Sequence, residues 1–255
     1  MKSKHRYNSS LIIKDSEFKY YFLGIISADG WISKKSNRVE LTLKEEDKDY
    51  LDILGKTLTD RPLIYKQKQK AYRLAIEDKI IKEELMTFIN CYDKTYNLTF
   101  PVGIPVEYIR HFMRGYLDGD GNISVKVSYK KVDGIRKSYP GLRLRLLGTK
   151  AFLYGYAQIL RKLGLVNFTR EPSKKHGSNV YYIEYAFASA KRILDWLYED
   201  SNYYLPRKKN TFTVISSSDS DDLIRRYNTY EGHYNTQTST IMDEDIVGAL
   251  WKLRE

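Results

Sequence analysis

The chain has 255 residues, 42% of them apolar, which is enough for one large domain or two packed smaller ones. Its 43 Lys+Arg against 32 Asp+Glu leave a net charge of +11, the electrostatic footprint of a polyanion binder, and point to nucleic acid as the partner. No apolar run approaches the roughly 20 residues that span a bilayer, the segment MKSKHRYNSS lacks the apolar stretch of a secretory signal, and a lone Cys91 excludes an intrachain disulfide or a cysteine zinc cluster.

In chain order, the first predicted element is a helix that Asp15 or Ser16 can cap, apolar through Ile26 and closed by the pair Asp29-Gly30. Val39, Leu41 and Leu43 then alternate with Arg38, Glu40, Thr42 and Lys44, the period of a half-buried strand, and a helix follows. KAYRLAIED (70–78) is a second stranded region, IIKEELMTFI a further helix, and residues 92–104 a connection. Pro105 is expected just inside the next helix, which ends at Asp120-Gly121. Leu142, Leu144 and Leu146 alternate with Arg143 and Arg145, a helix follows, and NVYYIEYAF (179–187) and SAKRILDWLY give strand and helix again. After Thr213 the polar run SSSDSDD leads to IMDEDIVGALWKLRE, which can form an amphipathic helix with Ile246, Leu250 and Leu253 on one face. The expected class is α+β, with an αββαββα half over residues 1–98, another over 99–212, and an extension over 213–255 whose role the sequence does not reveal.

The halves are copies. Shifting the chain by 91 residues lays FLGIISADGWIS over MRGYLDGDGNIS and matches Gly24 with Gly115, Asp29 with Asp120, Gly30 with Gly121, Ile32 with Ile123 and Ser33 with Ser124. Chance identity at one position is on the order of one in fifteen, so five matches in so short a window mark a duplication.

A glycine after the last turn places Asp29 and Asp120 at helix C-termini, where the dipole is negative and carbonyl oxygens lack partners. Such a place asks for a cation. Two aspartates brought together by paired helices would offer hard oxygen ligands suited to Mg²⁺ with its waters and substrate phosphates. Gly24 and Gly115, one and a half turns earlier, would let the helix backbones approach closely at an interface.

FLGIISADG (22–30) and MRGYLDGDG (113–121) resemble the two motif copies of the LAGLIDADG homing endonuclease family, whose single-chain members carry both in one polypeptide. The resemblance implies pseudo-symmetric halves packed through the motif helices, with antiparallel sheets forming a saddle for the DNA major groove. It implies a site-specific, metal-dependent break with staggered ends in a long asymmetric target, in the service of mobility of a host intron. Asp29 and Asp120 occupy the metal-binding acid position of each copy, with Mg²⁺ as cofactor, Mn²⁺ as substitute, and Ca²⁺ expected to bind without efficient cleavage. The family also places a basic residue or Gln near this centre, for which Lys44 and Lys208 are the candidates here. Arg38, Lys126, Lys130, Lys131, Arg143 and Arg145 fall on the strands that the family lays against DNA, and Tyr129, Tyr139, Tyr181 and Tyr185 lie near them. Departures stand at the second motif position, Leu23 and Arg114 instead of alanine, and at the sixth, Ser27 against Asp118.

His5, His111, His176 and His233 have no metal-ligand spacing, and no Walker loop or HExxH is present. A maturase acting on structured intron RNA, or a DNA-binding regulator without catalysis, remain alternatives. A monomer acting as a pseudo-dimer, with no membrane partner, is expected in the cytoplasm or in whichever organelle or phage host encodes it, not outside the cell.

Overall fold

The computed structural model describes residues 7–68 and 70–225. A single turn, α1 (Ser10–Ile13), precedes α2 (Glu17–Asp29). Ser16 caps α2: its backbone is extended and its Oγ accepts the Lys19 N–H at 3.2 Å, while Asp15 takes the Tyr20 hydroxyl at 2.7 Å. The first half continues with β1 (Gly30–Ile32), β2 (Arg38–Lys44), α3 (Lys48–Leu58), β3 (Leu63–Gln67), β4 (Ala71–Glu77) and α4 (Lys79–Ile89). Asn90, in the left-handed region, ends α4 and hands the chain to the short α5 (Lys94–Asn97).

The second half repeats this order as α6 (Ile109–Asp120), β5 (Gly121–Val132), β6 (Ile135–Gly148), α7 (Lys150–Lys162), β7 (Ser173–Lys174), β8 (Tyr181–Ala186) and α8 (Phe187–Tyr198). It closes with α9 (Pro206–Ser217), which runs on past position 212. The amphipathic pattern around Ile246, Leu250 and Leu253 lies outside the described residues, as do His5 and His233. Each half thus has the expected αββαββα order, with a four-stranded antiparallel sheet in the orders β1-β2-β4-β3 and β5-β6-β8-β7. The registers are equivalent: Gly30 faces Leu41 and Leu41 faces Leu74, just as Gly121 faces Leu146 and Leu146 faces Ile183.

Alternation decides which sheet face is buried. Val39, Leu41, Leu43, Leu74 and Ile76 pack inward in one half, and Leu142, Leu144, Leu146, Ile183 and Tyr185 in the other, each removed from water with a gain of about 1.5–3 kcal/mol. One continuous apolar cluster joins both halves through α2 and α6.

Two local expectations differ from the structure. Pro105 lies four residues before α6; its carbonyl accepts the Tyr108 and Ile109 N–H groups, so it opens the lead-in turn and not the helix itself. Gly30 and Gly121 are not left-handed caps, for their ψ values of 160° and 155° begin strands directly. Glycine is required there by crowding: a Cβ on Gly30 would stand 2.6 Å from the Ile26 oxygen, and one on Gly121 would run into Leu117 O.

Candidate active site

Helices α2 and α6 touch backbone to backbone at the duplicated glycines. A Cβ built on Gly24 would lie 2.2 Å from Phe112 O, and one on Gly115 would lie 2.1 Å from Tyr21 O. No other residue permits this crossing, and it places both helix C-termini side by side with Asp29 and Asp120 as their last residues.

The two carboxylates shape each other. Burial first, and the Asp29 charge next, push the Asp120 carboxyl up to about 6, with Lys208, Lys94 and Tyr116 pulling the other way. Asp29 is solvent-exposed at its surface, yet the surrounding protein crowds it enough to raise its pKa; Lys208, Lys94 and Arg207 hold that rise in check. A like-charge pair in a partly dry setting is a ready cation site.

The cations that the chain itself supplies are two lysines in matching places. Lys94 Nζ donates to the Ile26, Ser27 and Ala28 carbonyls at the end of α2, the latter two at 3.1 and 3.4 Å. Lys208 Nζ donates to the Leu117, Gly119 and Gly121 carbonyls at the end of α6, at 2.9, 2.9 and 2.7 Å. Ile26 with Leu117, and Ala28 with Gly119, are equivalent under the 91-residue repeat, so the two caps are copies in space. Ile26 O and Leu117 O also accept the Gly30 and Gly121 N–H groups, and the ammonium groups serve the Ser27, Ala28 and Gly119 carbonyls beyond them. Desolvation lowers both lysines to about 8, while the aspartates resist that change.

Of the two candidate basic residues, Lys208 caps the end of α6, whereas Lys44 lies at the surface. Its side chain is 72% exposed at the outer end of β2, 3.9 Å from Glu46, and the cations that set the aspartates' charge states are Lys94, Lys208 and Arg207. Lys94, which the sequence did not single out, caps the end of α2 instead. It lies in the 92–104 connection, which carries no repeat signal, and only the turn from α4 into α5 brings it to the end of α2.

The motif departures have structural reasons. Arg114, fully buried, donates to Tyr203 O, Leu197 O and Glu17 Oε1 at 2.7, 2.9 and 2.6 Å, binding α6 to α8 and to α2. His111 beside it is pushed down to about 4 by burial and the Arg114 charge, so it is neutral. Asp118, also buried, accepts from the Tyr21 and Tyr198 hydroxyls at 2.9 and 2.7 Å and from Leu205 N at 2.6 Å, which ties the start of α9 to the helix pair. The hydroxyl of Ser27, its counterpart, donates to Leu23 O of its own helix.

Outward-facing strand residues carry the charge, and several are pre-paired. Arg38 Nε bonds Glu40 at 2.7 Å and its NH1 reaches Glu77 at 3.1 Å. Lys126 and Arg145 share Glu184 at 2.6 and 2.8 Å; burial pushes that carboxyl up, but these two cations outweigh it and hold it below the ordinary range. Arg143 Nε bonds Ser124, Lys130 stands over the Tyr139 ring, and Lys131 is exposed near the β5–β6 tip. Tyr129 and Tyr139 are exposed, while Tyr185 points into the core.

Among the described residues no cluster of three or more His, Cys, Asp or Glu forms a cage for a metal. Two carboxylates, each the last residue of its helix, fit Mg²⁺, which keeps several waters and seldom takes a full set of protein ligands. No described helix is long and apolar enough to cross a membrane.

Paired motif helices between two sheet-bearing halves, with one acid and one lysine at each helix end, define a duplicated two-acid architecture. Residues 107–220 match the family described as LAGLIDADG-like domain. The structure is similar to LAGLIDADG meganuclease I-AabMI bound to uncleaved DNA, at 12% identity and a TM-score of 0.56, covering 77% of this chain and 89% of that one. It is similar to I-CpaMI bound to uncleaved DNA, at 11% and 0.56, covering 92% and 98%. The I-SmaMI LAGLIDADG homing endonuclease bound to cleaved DNA is also similar, at 12% and 0.53, covering 92% and 96%. By sequence alone, no curated protein matches. Residues 107–220 are thus similar to the LAGLIDADG-like domain family, and the chain shares the fold of the LAGLIDADG meganucleases named above.

Proposed function

We propose that the protein is a site-specific DNA endonuclease that uses Mg²⁺ to make a staggered double-strand break in a long, asymmetric target. The observation that carries this reading is the convergence of Asp29 and Asp120, each at a helix end capped by its own lysine, between two sheets with basic outer faces. The structural relatives named above, described as meganucleases bound to DNA, support it. Mobility of a host intron is the role that such cleavage would serve.

Mg²⁺ held by Asp29 and Asp120 would supply an acidified water and offset the charge growing on the phosphate. The chain's own groups do the rest. Water adds its hydroxyl to phosphorus, one P–O bond breaks, and the leaving oxygen receives a proton. Lys94 and Lys208, each lowered to about 8, keep ammonium charge beside the carboxylates at neutral pH and can exchange a proton more readily than a free lysine. Arg38, Arg143, Arg145, Lys126, Lys130 and Lys131 would orient the duplex through phosphates and base edges, with the sheets forming a saddle over it.

Asp29→Asn and Asp120→Asn test the reading on a target recovered from a randomised duplex library. Cleavage of both strands should vanish while duplex affinity stays within a few-fold, since phosphate contacts by Lys and Arg dominate affinity. Undiminished cleavage in the double variant sinks the assignment.

A further inference from the structure

Arg207 precedes Lys208 on α9 and reaches across to the other half. Its Nε donates to both Asp47 oxygens, at 2.9 and 2.8 Å, with Glu46 at 3.4 Å. Asp47 is 3% exposed, so this carboxylate is a fixed anchor, whereas the arginine side chain is 37% exposed. Among the described residues its two terminal nitrogens make no bond. The guanidinium is therefore held through Nε on a half-exposed side chain, which leaves its terminal nitrogens for bidentate capture of a phosphate.

The duplication provides an internal control. Lys94 and Lys208 are equivalent caps, so the place of Arg207 is taken in the other half by Asp93, which pairs with Lys34 at 3.0 Å. Asp47 and Thr149 both precede the first residue of an equivalent helix, α3 or α7, and Thr149 is turned to Leu98 O and Phe152 N. Neither the arginine nor its anchor is repeated. The charge of Arg207 acts on Asp29, and Asp47 beside it acts in the opposite sense.

We propose that Arg207, oriented by Asp47, is a catalytic residue that grips the scissile phosphate on the Asp29 side, and that the unequal centres cut the two strands at unequal rates. The proposal rests on the endonuclease reading and goes beyond it in naming an unrepeated group. Asp47 is the positioning residue.

The test uses full-length protein, Mg²⁺ and a duplex recovered from a randomised library by wild-type cleavage, labelled separately on each strand. Wild type should cut one strand faster. Arg207→Ala should slow one strand about 100-fold, the loss expected for one preorganised donor, and the other less than about threefold, so that nicked DNA accumulates. Because removing Arg207 leaves Asp47 buried without its cation, Arg207→Lys serves as the second variant. It keeps a charge opposite Asp47 but lacks the fork, and should slow the same strand by a smaller factor. A folding or binding defect lowers both rates together and leaves their ratio unchanged; that result in both variants, or unaltered rates, overturns the proposal. Failure of the wild type to cut any duplex would instead remove the endonuclease reading itself.

Discussion

Gly115→Ala is the most informative single change, because it acts at the crossing and is read out at the carboxylates. The new Cβ would sit 2.1 Å from Tyr21 O and 2.9 Å from Ile25 N, both main-chain atoms that cannot rotate away. Restoring ordinary contact moves α2 and α6 apart by roughly 1 Å, with overpacking of this kind costing about 1–3 kcal/mol. Alanine recovers about 1 kcal/mol of helix propensity, so the net loss is at most about 2 kcal/mol. At about 2–4 °C per kcal/mol for a chain of this size, the melting temperature should fall by less than about 8 °C. Activity should suffer more, since a misplacement of about 1 Å at a reacting centre costs on the order of 10²-fold. Thermal unfolding followed by circular dichroism, beside strand-cleavage rates, separates the two effects. Gly24→Ala should behave alike, and the double variant should lose less than the sum, because one separation relieves both contacts. A Gly115→Ala protein that cuts at the wild-type rate would refute the claim that backbone contact sets the distance between the acids.

Asp120, raised to about 6, gives a pH signature: the folded state holds this proton more tightly than the unfolded chain. Its contribution to the stability of metal-free protein is present at low pH and is lost as pH rises from about 4 through 6. Mg²⁺ affinity should accordingly weaken as pH falls through 6, with proton release visible by calorimetry in buffers of different ionisation enthalpy; affinity independent of pH would contradict this. Lys94→Met and Lys208→Met should each lower cleavage by about 10² or more, whereas Lys44→Met should change it only a few-fold, and the reverse order would restore Lys44 to the centre. Because β2 and β6 carry different outward residues, a cleavage-selected library should return a nonpalindromic target, and sedimentation in Ca²⁺ should show one protein per duplex.

Periodicity and duplication made the two halves readable, since strand alternation around Leu41 and Leu144 and the repeated Gly-x₄-Asp-Gly are local or self-similar signals. The same signals located Asp29 and Asp120. Lys94 escaped because no local pattern distinguishes a lysine in a connecting segment from a solvated one; its role arises only from a contact with carbonyls 66–68 residues away. Arg114 reads as a motif defect until Glu17, 97 positions earlier, is seen beside it. For Gly30 and Gly121 the residue type was legible but not its cause, which is crowding over the last helical turn.

The Glu17–Arg114 pair bears on how a duplicated chain stays true to itself. Under the repeat, Arg114 corresponds to Leu23, and Glu17 to Tyr108, which stacks on Tyr20 instead. Two first halves packed together would bury two glutamates with no arginine; two second halves would bury two arginines with no glutamate. Leaving one member of such a buried pair alone costs about 3–5 kcal/mol. What began as identical twins has become a plug and its socket, so that halves expressed as separate polypeptides should seek each other and refuse their own kind.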